Sequence, residues 1–292
     1  VPGYCGPGDW LGEKPAIADS EIKEEKKFDV VILGGGHSGL GAALGAVDEG
    51  ASVAVIEQQA WGAFVDLENT GANMGGWFGE DIGHVNSQFL INRSFGPYNT
   101  GEITSEFCLR ANGRCNPDII RGFVQNSGAM FDRYQEVYNL YEEERKANDS
   151  QVFMKGTMVR IPGVEVPDEG QFDMSNMFEY PLCNTQAAYS GVKVSYPIHC
   201  GGYKTWPCNA QFYGYQGNNI EFVHKYIVKY TQEHGAEWFF EHTGVVLVQA
   251  DDGTVTGLIA KNADGEYVKF TADKGVILCA GDFIGDPKMC WA

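Results

Sequence analysis

Gly34, Gly36 and Gly39 stand at G-x-G-x-x-G spacing directly after the apolar run Val30-Val31-Ile32-Leu33. Glycines so placed suit one kind of chemistry: they bring a phosphate close to main-chain N–H groups. Gly34 permits a tight turn, Gly36 leaves room for a pyrophosphate, and Gly39 lets the following helix pack closely on the strand. The N-terminus of that helix, with His37 and Ser38 in its first turn, offers unpaired N–H groups to phosphate charge. The His37 imidazole lies inside the same loop, where it can touch a bound cofactor. Eighteen residues past Gly39, Glu57 closes a second apolar run, Ser52–Ile56, with Gln58 after it. A carboxylate there accepts a hydrogen bond from a ribose hydroxyl and repels a 2′-phosphate, which argues against NADP.

These residues work only if the chain positions them. Val30–Leu33 is too short for a helix and ends on glycines, so it reads as a buried parallel strand. A helix over Gly39–Glu49 and a strand over Ser52–Ile56 complete a βαβ unit. Strand, glycines, helix, second strand and terminal acid in register make a far stronger signal than glycine spacing in a chain with 38 glycines. The motif alone does not separate NAD from FAD; Ala43, a fourth small residue, leans toward FAD.

The remaining chain reads less evenly. Residues 58–86 are glycine-rich with little hydrophobic period, a long loop of the kind that is usually functional. Asp118–Tyr141 is an amphipathic helix after Asn116-Pro117, with Ile119, Ile120, Phe123, Val124, Met130, Phe131, Tyr134 and Val137 recurring at three and four. Met154–Gly217 is rich in Pro, Gly and aromatics and reads as an irregular insertion, spanning about 142–218. A helix follows over Asn219–Gly235, then a strand at Ala236–Phe240. Val245–Ala250, Thr254–Lys261 and Glu266–Thr271 form a β-meander with hairpin turns at Asp252-Gly253 and Asp264-Gly265. A last apolar strand runs from Lys274 to Asp282.

Bulk properties narrow the class. The chain has 292 residues, 43% of them hydrophobic and 21% charged, which fits a globular protein. A formal charge of -18 makes nucleic acid and anionic membranes poor partners, and no apolar run is long enough for a membrane span. Residues 1–27 read as a solvated tether. That start fits an exported protein without its signal segment and a trimmed cytoplasmic chain equally well. None of the eight cysteines forms a C-x-x-C pair. Cys108 with Cys115, or Cys200 with Cys208, would pair in an exported protein; buried free thiols are the plainer reading. No metal-binding cluster or hydrolase triad appears.

Three segments together resemble the FAD-binding domain of the fumarate reductase / succinate dehydrogenase flavoproteins, with their enoate reductase and ketosteroid dehydrogenase relatives. They are the Gly34–Glu57 fingerprint, the loop Asn69-Thr70-(four residues)-Gly75-Gly76, and the stretch from Gly235-Ala236-Glu237 through Gly281. The resemblance covers about residues 28–86 and 219–292. It implies an α/β fold: a Rossmann-like FAD-binding domain (28–292) with a parallel sheet, a β-meander and the irregular aromatic-rich insertion. It implies FAD as cofactor, with Gly34, Gly36, His37, Ser38 and Gly39 at the pyrophosphate and Glu57 and Gln58 at the adenosine ribose. Asn69, Thr70, Gly71, Gly75, Gly76 and Trp77 would lie along the flavin ring and ribityl chain. Val245 would contact adenine, and Ala280 and Gly281 would close the site.

The chain also departs from the family. Asn69 lies twelve positions past Glu57, Trp77-Phe78 replace smaller residues, and Cys279-Ala280-Gly281-Asp282 replaces Ala-Thr-Gly-Gly. In the family a capping domain, which carries most substrate-clamping residues, follows that element; here eleven residues follow Gly281. The expectation is a partial protein whose active site a second chain or a missing C-terminal segment completes. Acid–base candidates are thin: His84, more readily a solvated loop histidine, and His199 and Tyr203 in the insertion. The expected activity is hydride transfer from flavin N5 to an activated C=C bond of a small-molecule substrate. The alternatives are desaturation of a steroid-like or amino-acid substrate, and a non-catalytic flavin- or NAD-binding module.

Overall fold

A computed structural model describes residues 13–61, 82–91, 97–141, 144, 209–210, 220–282 and 289. The chain divides into two compact units, Val1–Gly76 with Val228–Ala292, and Trp77–Ile227.

The first unit is built on a six-stranded sheet. Its strands are β1 (Ile22–Leu33), β2 (Val53–Ile56), β5 (Ala236–Phe239), β6 (Thr243–Gln249), β7 (Val255–Lys261) and β8 (Tyr267–Leu278). Their spatial order is β5-β2-β1-β8-β7-β6. β5, β2, β1 and β8 run parallel, while β6, β7 and β8 form the antiparallel meander expected from the two Asp-Gly turns. Between β1 and β2 runs helix α1 (His37–Asp48). Its Leu40, Ala43, Leu44 and Val47 fall at the spacing of one helical face and are buried. Gly50, at φ 74°, ends it by donating from its N–H to the Val47 carbonyl at 2.9 Å. The other face of the sheet carries the core cluster Phe28, Val31, Ala54, Ile56, Leu258, Ala260, Val268 and Phe270. Each large side chain sealed there contributes about 1.5–3 kcal/mol.

Two boundaries differ from the sequence reading. β1 begins at Ile22, inside the stretch expected as a tether, although its first residues are mostly charged and exposed. Backbone pairing, not burial, makes this part a strand: Ile22 through Phe28 lie alongside Tyr267 through Ala272 of β8. Likewise, the last meander strand and the final apolar strand are one element, β8. The charged break at Asp273-Lys274 is absorbed by a register shift, with Lys27 ion-paired to Asp273 at 2.9 Å and Lys274 to Asp29 at 3.2 Å.

The second unit contains the short pair β3 (Ile82–Gly83) and β4 (Asn209–Ala210), then helices α2 (Gln88–Ile91), α3 (Thr100–Arg110) and α4 (Pro117–Leu140). Asn99 caps α3 and Asn116 caps α4, each side chain accepting from first-turn N–H groups. α4 buries Val124, Gly128, Phe131, Tyr134, Val137 and Tyr138, but leaves Ile119 at 70% and Phe123 at 42% exposure. The expected apolar face was therefore too wide. Gly128 sets the inward line, because a Cβ there would strike the Val85 carbonyl. At about 100° per residue, Ile119 lies about 180° and Phe123 about 140° from it. Helix α5 (Ile220–Glu233) follows, its residues divided between the two units. The Tyr230 hydroxyl of α5 donates to Asp48 of α1 at 3.2 Å. Most of the aromatic insertion lies outside the described residues. No helix among the described residues is long and apolar enough to cross a membrane.

Candidate functional site: a glycine loop at the ends of parallel strands

β1 has β2 on one side and β8 on the other, so the chain reverses its direction of winding at β1. In open α/β sheets the crevice beyond the carboxyl ends of the strands at such a reversal is the ordinary place for a ligand. The glycine loop starts there.

Gly34 is held from both neighbours. Its N–H donates to the Ile56 carbonyl of β2 at 2.8 Å, while the Cys279 N–H donates to the Leu33 carbonyl at 2.7 Å. At φ 98° it adopts a conformation that favours glycine, and a Cβ would strike the Cys279 carbonyl. Gly39 is closed for a different reason: a Cβ there would fall on the Gly34 carbonyl oxygen, so the helix could not sit this close to the strand. Gly36 is the opposite case. It is the N-cap of α1 with ordinary dihedrals, and nothing lies within 4 Å of the place its Cβ would take. His37 and Ser38 form the first turn of the helix behind it. The protein leaves open space at the one glycine where a pyrophosphate would come closest. That space, at the positive end of a helix dipole, fits a dinucleotide.

Glu57 sits just past β2 and is buried, at 8% exposure. One carboxylate oxygen accepts from Gly35 N–H at 2.7 Å and the other from Gln59 N–H at 2.9 Å. A carboxylate has about four acceptor positions, so two remain for ribose hydroxyls. Glu57 thus ties the glycine loop to the end of β2 as well as facing the crevice. The sequence reading missed Gly35 and Gln59, because a backbone N–H has no side-chain signature. Gln58, between them, is exposed.

Two later segments complete this end of the sheet. In β6, Gly244 opposes Ala260 and Val246 opposes Ile259, which leaves Val245 as the extra residue of a β-bulge. A Cβ on Gly244 would lie 2.6 Å from Leu33 Cδ1, so the bulge is beside the last residue of β1. Ala280 and Gly281 follow β8 after Cys279, and Ala280 Cα is 3.0 Å from the position of a Cβ on Gly34. The Cys279 thiol is free, and burial raises it above the ordinary thiol pKa. The structure therefore brings together Gly34, Gly36, His37, Ser38, Gly39, Glu57, Val245, Ala280 and Gly281.

Asn69, Thr70, Gly71, Gly75, Gly76, Trp77, His199 and Tyr203 lie outside the described residues. His84 belongs to the second unit, and the solvated reading of it does not hold. It is fully buried, with its ring stacked on Phe131 at 3.9 Å and 3°. The neighbouring Val85 N–H donates to Ser127 Oγ at 3.0 Å, which pins this segment to α4. Among the described residues no group of His, Cys, Asp or Glu could hold a metal ion.

A search of solved structures finds the same architecture in 3-ketosteroid-Δ4-(5α)-dehydrogenase from Rhodococcus jostii. That match has a TM-score of 0.55 and 19% identity over 92% of this chain and 48% of the other. The fold is that of the fumarate reductase flavoproteins. A flavocytochrome c3 fumarate reductase matches with a TM-score of 0.51 and 12% identity over 89% of this chain and 34% of its own. Among curated proteins, the NADH:acrylate oxidoreductase of Vibrio harveyi is 23% identical over 94% of this chain. This chain spans 26% of the length of that relative. No family model matches.

Proposed function

We propose that this chain is the FAD-holding part of a flavin-dependent oxidoreductase that reduces an activated C=C bond. The observation that carries this reading is the convergence at one end of the sheet. The open space at Gly36, the free acceptor positions of Glu57, the bulge at Val245 and the turn at Ala280-Gly281 surround the carboxyl end of β1. The chemistry supplied by bound FAD is hydride transfer at its flavin ring.

The chain's own residues bind and orient. The α1 N-terminus and the Gly34–Gly39 loop hold the pyrophosphate, Glu57 fixes the adenosine ribose, and Val245 offers backbone groups to the adenine edge. Asn69, Thr70, Gly71, Gly75, Gly76 and Trp77 are assigned to the flavin and ribityl side by their motif. The curated relative supports the choice of reaction, since acrylate carries a C=C bond conjugated to a carboxylate. Substrate clamping and proton delivery are assigned to residues beyond this segment.

Gly36→Val tests the reading. Purified wild-type protein should take up FAD and absorb at about 450 nm. The variant should fold, with a stability loss of about 1 kcal/mol from the poorer N-cap, and fail to hold flavin. Full flavin occupancy in Gly36→Val would overturn the assignment of the loop, and a wild-type protein that takes up no FAD would overturn the cofactor.

A further inference from the structure

The corner between α3 and α4 brings two cysteines together that the cofactor site does not use. Cys108 lies in the last turn of α3, and Cys115 stands seven residues on, just before the α4 cap Asn116. The link is a defined turn. Asn112 and Gly113 both take left-handed dihedrals, at φ 51° and 72°. The Gly113 N–H donates to the Cys108 carbonyl at 3.3 Å, and the Arg114 N–H to the Ala111 carbonyl at 3.0 Å. This folds the chain back and sets the two half-buried cysteines near enough for the Cys115 side chain to act on the Cys108 thiol.

We propose that Cys108 and Cys115 are a reversible dithiol–disulfide pair that staples the α3–α4 corner and is exchanged by small-molecule disulfides. A disulfide brings its two Cβ atoms to about 3.8 Å, which a tight turn between neighbouring cysteines can supply. Burial, and then the bond to Cys115, hold the Cys108 thiol above its ordinary pKa, with Arg121 acting against them. Either cysteine can open the exchange with the same products; take Cys115 first. Its thiolate attacks one sulfur of a disulfide RSSR, breaking that bond and releasing RS⁻. Cys108 then gives its proton to solvent and attacks the Cys115 sulfur, releasing a second RS⁻. The two protein thiols are oxidised by two electrons, and RSSR is reduced to two RSH. The closed loop is short and local to one corner, so the staple restrains the α3–α4 junction.

The experiment incubates the full chain with oxidised glutathione, blocks the remaining thiols and digests with trypsin without reduction. Arg110 and Arg114 lie between the two cysteines, so trypsin places them on different peptides that only a disulfide can join. The expected result is the joined pair, lighter by two hydrogens, which separates on adding dithiothreitol. The joined form should unfold at a midpoint roughly 2–5 °C higher. In Cys115→Ser the join should vanish. Recovering the two wild-type peptides unlinked, as free thiols or as separate glutathione adducts, overturns the pair. A join that leaves the unfolding midpoint unmoved overturns the staple.

Discussion

The two units hold themselves together by different contacts. In the sheet unit the decisive approaches are main chain against main chain: Gly39 against the Gly34 carbonyl, and Gly34 against Cys279. In the helical unit, Gly128 against the Val85 carbonyl aside, side chains fasten elements to one another. Asn86 exchanges two hydrogen bonds with the Tyr98 backbone, Ser127 holds Val85, and Asp132 accepts from Gln88 N–H at 2.6 Å. Side-chain clamps can be traded for other clamps. A backbone that must meet another backbone, and then leave room for a ligand, admits glycine alone. The sheet unit is therefore the part whose sequence announces its purpose.

The sharpest way to break this contrast is Gly39→Val. The added atoms meet the Gly34 carbonyl, and the variant should lose at least about 3 kcal/mol in urea unfolding, against about 1 for Gly36→Val. Equal losses at the two glycines would end the distinction between a packing glycine and a binding glycine. Gly128→Val is the matching test in the helical unit. It should cost about 2 kcal/mol in urea unfolding through the Val85 carbonyl; undiminished stability would mean that the segment from Val85 to Ser87 gives way at no cost. Glu57→Gln should cost somewhat less, about 1–2 kcal/mol, because the amide group offers one acceptor to two N–H donors. FAD affinity should fall with it, read by titrating flavin fluorescence. Wild-type affinity would mean that the carboxylate serves the loop alone.

The smallest effect is expected at Asp29. Its pKa is lowered from 3.8 first by the Ser52 N–H, then by Lys274 and the Ser52 hydroxyl. A folded-state value below the unfolded one adds stability above the unfolded value and loses it as pH falls through the folded one. Asp29→Asn should therefore be less stable at about pH 6, with the gap to wild type narrowing below about pH 4 in thermal melts. A gap that stays constant over that range would remove Asp29 from the acid response.

The fold was largely legible because the glycine spacing, the apolar strands and the Asp-Gly turns each state a local geometry. What escaped had no local signature. The charged start of β1 is a strand only because β8 pairs with it. α3 shows little apolar period, with Ile103 alone buried among the large side chains described in it. The exposed face of α4 could not be foreseen before Gly128 was known to lie against Val85. At the site, the open space at Gly36 and the turn at Gly34 follow from the motif. The Gly35 and Gln59 bonds of Glu57 involve N–H groups that every residue except proline carries, so no letter in the sequence marks them.

The pairing of β1 with β8 also bears on how the protein is made. Val31 sits beside Val276, about 245 residues later in the chain. At a synthesis rate of roughly 5–20 residues per second, β1 waits on the order of 12–50 s after leaving the ribosome before its second neighbour exists. Through that interval one edge of the strand that begins the glycine loop is bare, with unpaired main-chain groups able to recruit another chain. The loop takes its final shape only when Cys279 closes on Leu33, so cofactor capture waits until that segment has been made and has paired.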